Sequence, residues 1–378
     1  MKVLYIGPGN DIHLARWINR CTLNGVDTYF YNSVPNLETQ RINAKHLNKT
    51  KPPIGASRFN QFSLIRLLKS YVQIRKIIHD VKPDVIHLQW FLDLPQFAST
   101  FLKNVKIVST PFGSDILKFA NNNKSQRIKY LIAKVINKRI VSKSKMFCCD
   151  AQHMANELVN LGAESKTIKI IYFGTDVEIF SPKARQNSFF EKFGVPKDNL
   201  VVLSNRGLAP VYDIETLIES VSDFQQKISV AIVGGGPSEN YLKTKAAESE
   251  ARNNIYFLGR LNDQDFVCAT ASCDIYVSTS TSDGGLAASV AEAMACQIPV
   301  VITDFGDNAK WLQNETAGKV FPIGNSKKLS EIINSLASNP SVRTQMGKTG
   351  RKIICADNNS KLEMNKILEM YESILGNN

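Results

Sequence analysis

The chain has no apolar run approaching the ~18–20 residues that a membrane-spanning helix needs. Its opening Met1-Lys-Val-Leu-Tyr-Ile-Gly7 is too short for the core of a signal peptide and reads as a first buried strand. Its seven cysteines (21, 148, 149, 268, 273, 296 and 355) are odd in number and form no Cys-x-x-Cys pair. That argues against a zinc ribbon or a disulfide framework and for reduced thiols in a cytoplasm. No carboxylate or histidine cluster has metal-ligand spacing, so no metal and no required cofactor are expected. Asp263-Gln-Asp265 has a spacing that could suit a cation, but it stands where a helical pattern begins and acids commonly cap. Gly7-Pro-Gly9-Asn10-Asp11 is not Gly-x-Gly-x-x-Gly, so a dinucleotide fingerprint is not supported. Without an aromatic-interleaved basic stripe, no nucleic-acid partner is expected.

What is present is strand–helix alternation along 378 residues, enough for two domains. Short β-branched runs predict strands at 3–6, 28–31, 85–88, 106–110, 146–149 and 168–171. A second series follows at 201–204, 229–233, 255–258, 275–278 and 299–303. Amphipathic stretches between them predict helices at 12–24, 63–79, 127–143, 214–221, 241–250, 265–271 and 287–295, with a last one at 362–375. Such alternation implies an α/β chain of parallel sheets covered on both faces, with ligands beyond the carboxyl ends of the strands. A turn-rich stretch, Phe173-Gly-Thr-Asp-Val-Glu-Ile-Phe-Ser-Pro182, marks the join. The expected domains are 1–172 and 173–356, with 357–378 as a C-terminal helix.

The most informative stretch is Ser282-Asp-Gly-Gly-Leu-Ala-Ala-Ser-Val-Ala-Glu292-Ala-Met-Ala-Cys-Gln-Ile-Pro-Val-Val301. It reads as a polar loop, a short helix, a turn and a buried strand. Asp283, Gly284 and Gly285 leave the backbone open to a ligand, and the helix start through Leu286, Ala287 and Ala288 would offer N–H groups to an anion. Glu292 lies one to two turns on, where it could accept from hydroxyls. Phosphate at the helix start and hydroxyls beyond it describe a nucleotide diphosphate-sugar.

The stretch resembles the donor-site signature of glycosyltransferase family 4 (glycosyl transferases group 1). Two departures stand out: Asp283 and Glu292 are separated by eight residues where the family has seven, and Gln297 replaces the usual glycine. The resemblance implies the GT-B fold: two doubly wound Rossmann-like domains facing across a cleft, with the C-terminal helix returning to the first. Arg206, after the strand at 201–204, is similar to the family's phosphate-clamp arginine; the other reading is a solvated loop charge. The lysine that the family adds a few residues later is missing, and Tyr212 stands in that region. Gly234 and Gly235 match a loop lining the donor pocket, and Gly259-Arg260 a string whose backbone reads the base. Arg206, Asp283 and Glu292 are therefore the catalytic candidates.

In the first half, Gly9, Asn10 and His13 follow the first strand, and Gly113 and Asp115 follow Phe112, which replaces the family's histidine. These residues are expected near the acceptor. His13 has a second reading, packing at a helix start. His87 reads equally as a cleft residue or as a core histidine with a hydrogen-bond partner.

Charge is divided unevenly. Residues 1–172 carry 26 lysines and arginines against 10 acids, and residues 173–378 carry 20 against 24, within a net charge of +12. Only the first half is expected to meet a negative surface. Residues 124–145 form a basic amphipathic stretch with Ile128, Leu131, Ile132, Val135, Ile136 and Ile140 on its apolar side. It reads either as a contact for an anionic membrane surface or as a core-packed helix with a solvated basic face.

The expectation is a glycosyltransferase. It would move a sugar from a nucleotide diphosphate-sugar to a hydroxyl of a glycan or lipid-linked acceptor, with retention, in surface polysaccharide or glycoconjugate biosynthesis. The expected place is the cytoplasm or the inner face of its membrane. A nucleotide-sugar 2-epimerase, or a binding protein that has lost transfer, is the alternative.

Overall fold

The computed structural model describes residues 1–34, 42–46, 63–113, 115–116, 124–282 and 285–376. The chain forms two compact units, Met1–Phe173 with Glu363–Asn378, and Gly174–Leu362.

The first unit runs β1 (Lys2–Gly7), α1 (Ile12–Leu23), β2 (Asp27–Asn32), β3 (Lys45–His46), α2 (Leu64–Val81), β4 (Val85–Gln89), α3 (Leu94–Ser99), β5 (Ile107–Thr110), α4 (Lys124–Lys143), β6 (Met146–Cys149), α5 (Gln152–Asn160) and β7 (Ile168–Ile170). Its seven strands make one parallel sheet in the order β3-β2-β1-β4-β5-β6-β7. The second unit runs β8 (Leu200–Ser204), α6 (Ile214–Ser220), β9 (Ile228–Val233), α7 (Glu239–Glu248), β10 (Ile255–Gly259), α8 (Asp263–Ser272), β11 (Ile275–Ser278), α9 (Ala288–Ala295), β12 (Val300–Thr303), α10 (Asn308–Trp311), β13 (Gly318–Phe321), α11 (Ser326–Ala337) and α12 (Pro340–Asp357). Its parallel sheet has the order β10-β9-β8-β11-β12-β13. The final helix, α13 (Ser360–Gly376), begins in the second unit and belongs to the first from Glu363 onward.

All the expected strands form, to within a residue at each end. The interior strands are apolar on both faces because helices cover both: Val3 through Ile6 and Ile228 through Val233 are buried without a break. Side-chain caps start several helices. Asp11 accepts from the Leu14 N–H, Ser63 from Arg66 and Asn325 from Lys328. Asn262 caps α8 by accepting from the Asp265 N–H, which places Asp263 and Asp265 in the first turn of that helix. Asp265 also pairs with Lys192.

Polar groups as well as packing bind α13 to the first sheet. Met364, Ile367, Met370, Tyr371 and Ile374 enter the core around Val3, Tyr5 and Trp17. The Tyr371 hydroxyl lies 3.0 Å from that of Tyr5 and 2.5 Å from His87 Nδ1, while His87 Nε2 meets Thr110 Oγ1 at 2.7 Å. Glu363, 1% exposed, accepts from the Tyr172 N–H and pairs with Lys366. Within the second unit the segments beside Thr175 and Asn359 pair in parallel, and Gly174 permits it: a Cβ there would lie 2.7 Å from Ser360 Cα.

Gln297, just past α9, has φ 63°. That left-handed conformation suits glycine and costs another residue about 1–2 kcal/mol. The strain fits the glycine that the related signature carries here. The carbonyl of Gln297 lies against Gly347 of α12, where a Cβ would overlap it. The close approach of α12 to the end of α9 thus depends on a glycine in the partner helix.

Candidate functional site

In each sheet the strand order reverses direction once, between β1 and β4 in the first and between β8 and β11 in the second. Loops leaving such a point splay to opposite sides and open a crevice beyond the carboxyl ends of the strands. In the second unit those loops carry Arg206 after β8 and residues 279–287 before α9.

The backbone around Arg206 packs against the glycine triplet after β9. A Cβ on Gly234 would lie 2.7 Å from the Arg206 carbonyl, and one on Gly236 would overlap the Leu208 carbonyl. Hydrogen bonds lock the approach: Leu208 N–H donates to Gly235, Ser238 N–H to Leu208, and Gly234 N–H to Gly259. The triplet therefore admits a neighbouring loop rather than a helix.

Arg206 is half-buried. Its Nη1 donates to Ser289 Oγ at 3.2 Å, and its guanidinium stands 4.6 Å from the ring centroid of Tyr212. A Cβ at residue 207 would lie 2.9 Å from the Tyr212 ring, so Gly207 lets the ring fold back over the arginine. The loop after β11 holds that turn in place. Thr279 Oγ1 donates to the Tyr212 carbonyl at 2.7 Å, and Thr281 N–H to the Val211 carbonyl at 2.9 Å. The buried Tyr276 hydroxyl lies 2.8 Å from both Asn205 Oδ1 and Ser289 Oγ.

Ser289 belongs to the first turn of α9. No side chain caps that helix at Ala287, and the first backbone bonds inside it come from Val290 and Ala291. The Ala288 and Ser289 amides thus stand at a helix start beside a guanidinium, an arrangement that favours an anion. Glu292 lies three residues past Ser289 and is 4% exposed. Arg260, on the loop after β10, reaches over Gly235: its Nε lies 3.1 Å from where a Cβ of that residue would stand. Gly259 has φ 68°, and Gly285, Leu286, Ala287 and Ala288 lead into α9. Asp283 and Gly284 lie outside the described residues. Ser289, Asn205 and Tyr276 were not singled out in the sequence. Serine and asparagine carry little signal there, and the Tyr276 hydroxyl reaches the site from inside a strand.

In the first unit Gly9 donates its N–H to Asn32 Oδ1, and Asn10 is exposed. His13 packs against the Phe173 ring, with centroids 4.3 Å apart, which fits its packing role. His87 is a correction to the cleft reading. It is fully buried with both ring nitrogens engaged, and burial pushes its pKa down to about 3, so it is a neutral core residue. Asp115 is buried as well. Its two carboxylate oxygens accept from the N–H groups of Phe91 and Phe112 and so tie together the loops after β4 and β5. Trp90, beside Phe91, has φ 69°, and Gly113 has φ 102°. Both turns are therefore unusual, and the carboxylate fixes them. Among the described residues no group of three or more His, Cys, Asp or Glu gathers as a metal site.

Residues 185–353 match the model of the glycosyl transferases group 1, and residues 2–145 match that of the glycosyl transferase 4-like proteins. An uncharacterized glycosyltransferase of Methanocaldococcus jannaschii is 23% identical over 283 residues, covering 74% of this chain and 71% of its own. The GDP-mannose-dependent monoacylated alpha-(1-6)-phosphatidylinositol monomannoside mannosyltransferase of Corynebacterium glutamicum is 29% identical over 195 residues, covering 49% and 50%. Among solved structures, Anabaena HepE in complex with UDP superposes with a TM-score of 0.77 at 18% identity, covering 99% of this chain and 100% of its own. The architecture is GT-B. The chain belongs to the family 4-like glycosyltransferases, and it is an enzyme of that class.

Burial pushes the Asp115 carboxyl up to about 6, against the backbone N–H groups, those of Phe91 and Phe112 first, that hold it down. Protonation therefore favours the folded state. The gain is complete below pH ~4 and lost as pH rises through about 6. Relative to Asp115→Asn, the wild type should lose about 3 kcal/mol between pH 4 and 6 and little above. Urea unfolding followed by tryptophan fluorescence at several pH values measures this, and the His87 contribution cancels in the comparison. A difference that does not vary with pH would show an ordinary carboxyl at position 115.

Proposed function

We propose that this enzyme transfers a sugar from a nucleotide diphosphate-sugar to a hydroxyl of a glycan or lipid-linked acceptor, with retention of anomeric configuration. The observation that carries the reading is the arginine held at the start of α9: Arg206 on Ser289, beneath the Tyr212 ring. The leaving diphosphate gains one negative charge, on the oxygen released as the bond from the sugar to the phosphate breaks. A fixed guanidinium and aligned amides stabilise that charge more than the ground state. Tyr212 takes the region of the absent lysine and holds the guanidinium plane, leaving Arg206 and the helix start to carry the charge.

Glu292 is assigned to the nucleotide ribose, Asp283 to sugar hydroxyls, and Gly234, Gly235, Gly259 and Arg260 to the rest of the donor. In a front-side mechanism the leaving phosphate oxygen takes the acceptor proton as the new bond forms, and no required metal or cofactor enters. The loops at Gly9, Asn10, His13 and Gly113, braced by Asp115, are assigned to the acceptor. UDP in the HepE structure and a phosphatidylinositol mannoside in the name of the Corynebacterium relative support a nucleotide-sugar donor and a lipid-linked acceptor. Surface polysaccharide or glycoconjugate synthesis is the corresponding process.

Arg206→Ala and Glu292→Ala should each lower transfer about 10²–10³-fold. The assay uses mass spectrometry of products from a panel of UDP-, GDP- and ADP-sugars, with circular dichroism to confirm folding. Near-normal turnover in either variant removes that residue from the site. Conversion of donor without transfer to any acceptor would favour the 2-epimerase reading.

An anionic membrane surface is assigned to the first unit. On α4, Ile136 and Ile140 enter the core as a packed helix requires, yet Leu131, Ile132 and Val135 are exposed beside Lys134 and Lys138. The side chains of residues 124–130 lie outside the described residues. On α2, Leu64, Ile65, Leu68 and Val72 are more than half exposed, interleaved with Arg66 and Lys69. Exposed apolar groups flanked by cations suit a lipid interface. Among the described residues no helix is long and apolar enough to cross a membrane. Co-sedimentation should therefore be strong with anionic vesicles, weak with neutral ones, and reduced by Leu68→Asn with Val135→Asn. Equal binding to both vesicle types would count against this assignment.

A further inference from the structure

The first unit has a second concavity, remote in chain and in sheet from the loops assigned to the acceptor. Those loops leave the carboxyl ends of the strands. The concavity lies at the amino ends: Lys106 precedes β5, Lys145 precedes β6, and Lys166 precedes β7. Its volume is about 860 Å³, and one wall is α13. Sheet order explains the opening. Strand β7 is the edge of the sheet. Ile168 and Ile170 turn toward the core beneath α4 and α5, whereas Lys169, between them, points to the other face. On that face α13 covers the inner strands and leaves the edge open.

Two kinds of surface meet there. The floor is apolar and formed by Met146, Ile171, Met370 and Ile374. The rim is basic. Lys106, Lys145, Lys166, Lys169 and Lys366 all line it, with Glu369 the one carboxylate among the lining residues. Lys166 and Lys366 have acidic neighbours in Glu164 and Glu363. Lys145 and Lys169 are exposed and make no ion pair among the described residues. Lysine on an edge strand also discourages edge-to-edge pairing. That role accounts for Lys169, but not for lysines converging from the starts of two further strands and from α13 upon one apolar floor.

We infer that this groove binds an anionic amphiphile, a phosphate-headed molecule with a single hydrocarbon chain. The chain would lie on the Met146–Ile171–Met370 floor and the phosphate between Lys145 and Lys169. A free phosphate would use only the rim, and a neutral amphiphile only the floor. The inference needs neither the donor site nor the acceptor loops.

Titration calorimetry with dodecyl phosphate below its micelle concentration tests this, with inorganic phosphate and dodecyl maltoside as separate arms. The proteins are the full chain, the Lys145→Gln/Lys169→Gln double variant, and the Lys145→Arg/Lys169→Arg variant. Both positions are exposed, so folding should be retained, and unchanged circular dichroism confirms it. The wild type should bind dodecyl phosphate saturably and at least tenfold more tightly than either control compound. The glutamine variant should lose at least tenfold, and the arginine variant should restore binding. Equal binding by wild type and glutamine variant would overturn the inference. So would equal affinity for dodecyl phosphate and either control, or no binding at all. None of these results bears on nucleotide binding.

Discussion

The arrangement around the start of α9 depends on one close contact between backbones. The carbonyl of Arg206 lies where a side chain on residue 234 would begin. Because residue 234 is glycine, the loop after β8 can fold onto the loop after β9 and hydrogen-bond along it. That contact fixes the direction in which the chain leaves β8, and hence where the guanidinium points. Gly207 then admits the Tyr212 ring, and the loop after β11 fastens onto the same turn. Each step restricts a long, flexible side chain before any ligand arrives. Positioning of this kind is the larger part of what an electrostatic site contributes to rate.

A comparable economy of polar groups holds the C-terminal helix to the first sheet. His87, Tyr5, Tyr371 and Thr110 form a buried chain of hydrogen bonds spanning β1, β4, β5 and α13. Buried polar groups are costly when unpaired. The helix therefore has one register on the sheet that satisfies this chain, which apolar packing alone would not specify. Glu363 adds a second fixed point by holding Tyr172, next to the place where the chain leaves the first unit. Asp115 does similar work at the middle of the sheet, where one carboxylate ties together the loops after β4 and β5.

Much of this was legible in the sequence, because buried parallel strands read as unbroken β-branched runs and the donor stretch carries its chemistry in order. The parts that were not legible have physical reasons. Strand β13, Gly-Lys-Val-Phe, is four residues long and half polar. Helix α12 carries Gly347 and Gly350, which weaken a helical pattern, though Gly347 is needed where it meets the end of α9. His87 occupies a strand with no solvent face, so position in the strand could not tell a ligand from a core residue. Residues 131, 132 and 135 have the spacing of a core stripe, yet they are exposed, and the core takes Ile136, Ile140 and Val141 of that helix. Periodicity identifies an apolar face but not what covers it. The Arg206–Ser289 contact joins residues 83 positions apart, and no local pattern encodes that.

Holding a diphosphate is the work proposed for Arg206 and the helix start of α9. Titration calorimetry of UDP, GDP and ADP against the matching monophosphates, on wild type and Arg206→Lys, tests it most directly. One diphosphate should bind at least tenfold more tightly than its monophosphate. Most of this preference should disappear in Arg206→Lys, because a point charge cannot reproduce the planar two-pronged contact. Equal affinity for diphosphate and monophosphate, or a preference unchanged in Arg206→Lys, would contradict it.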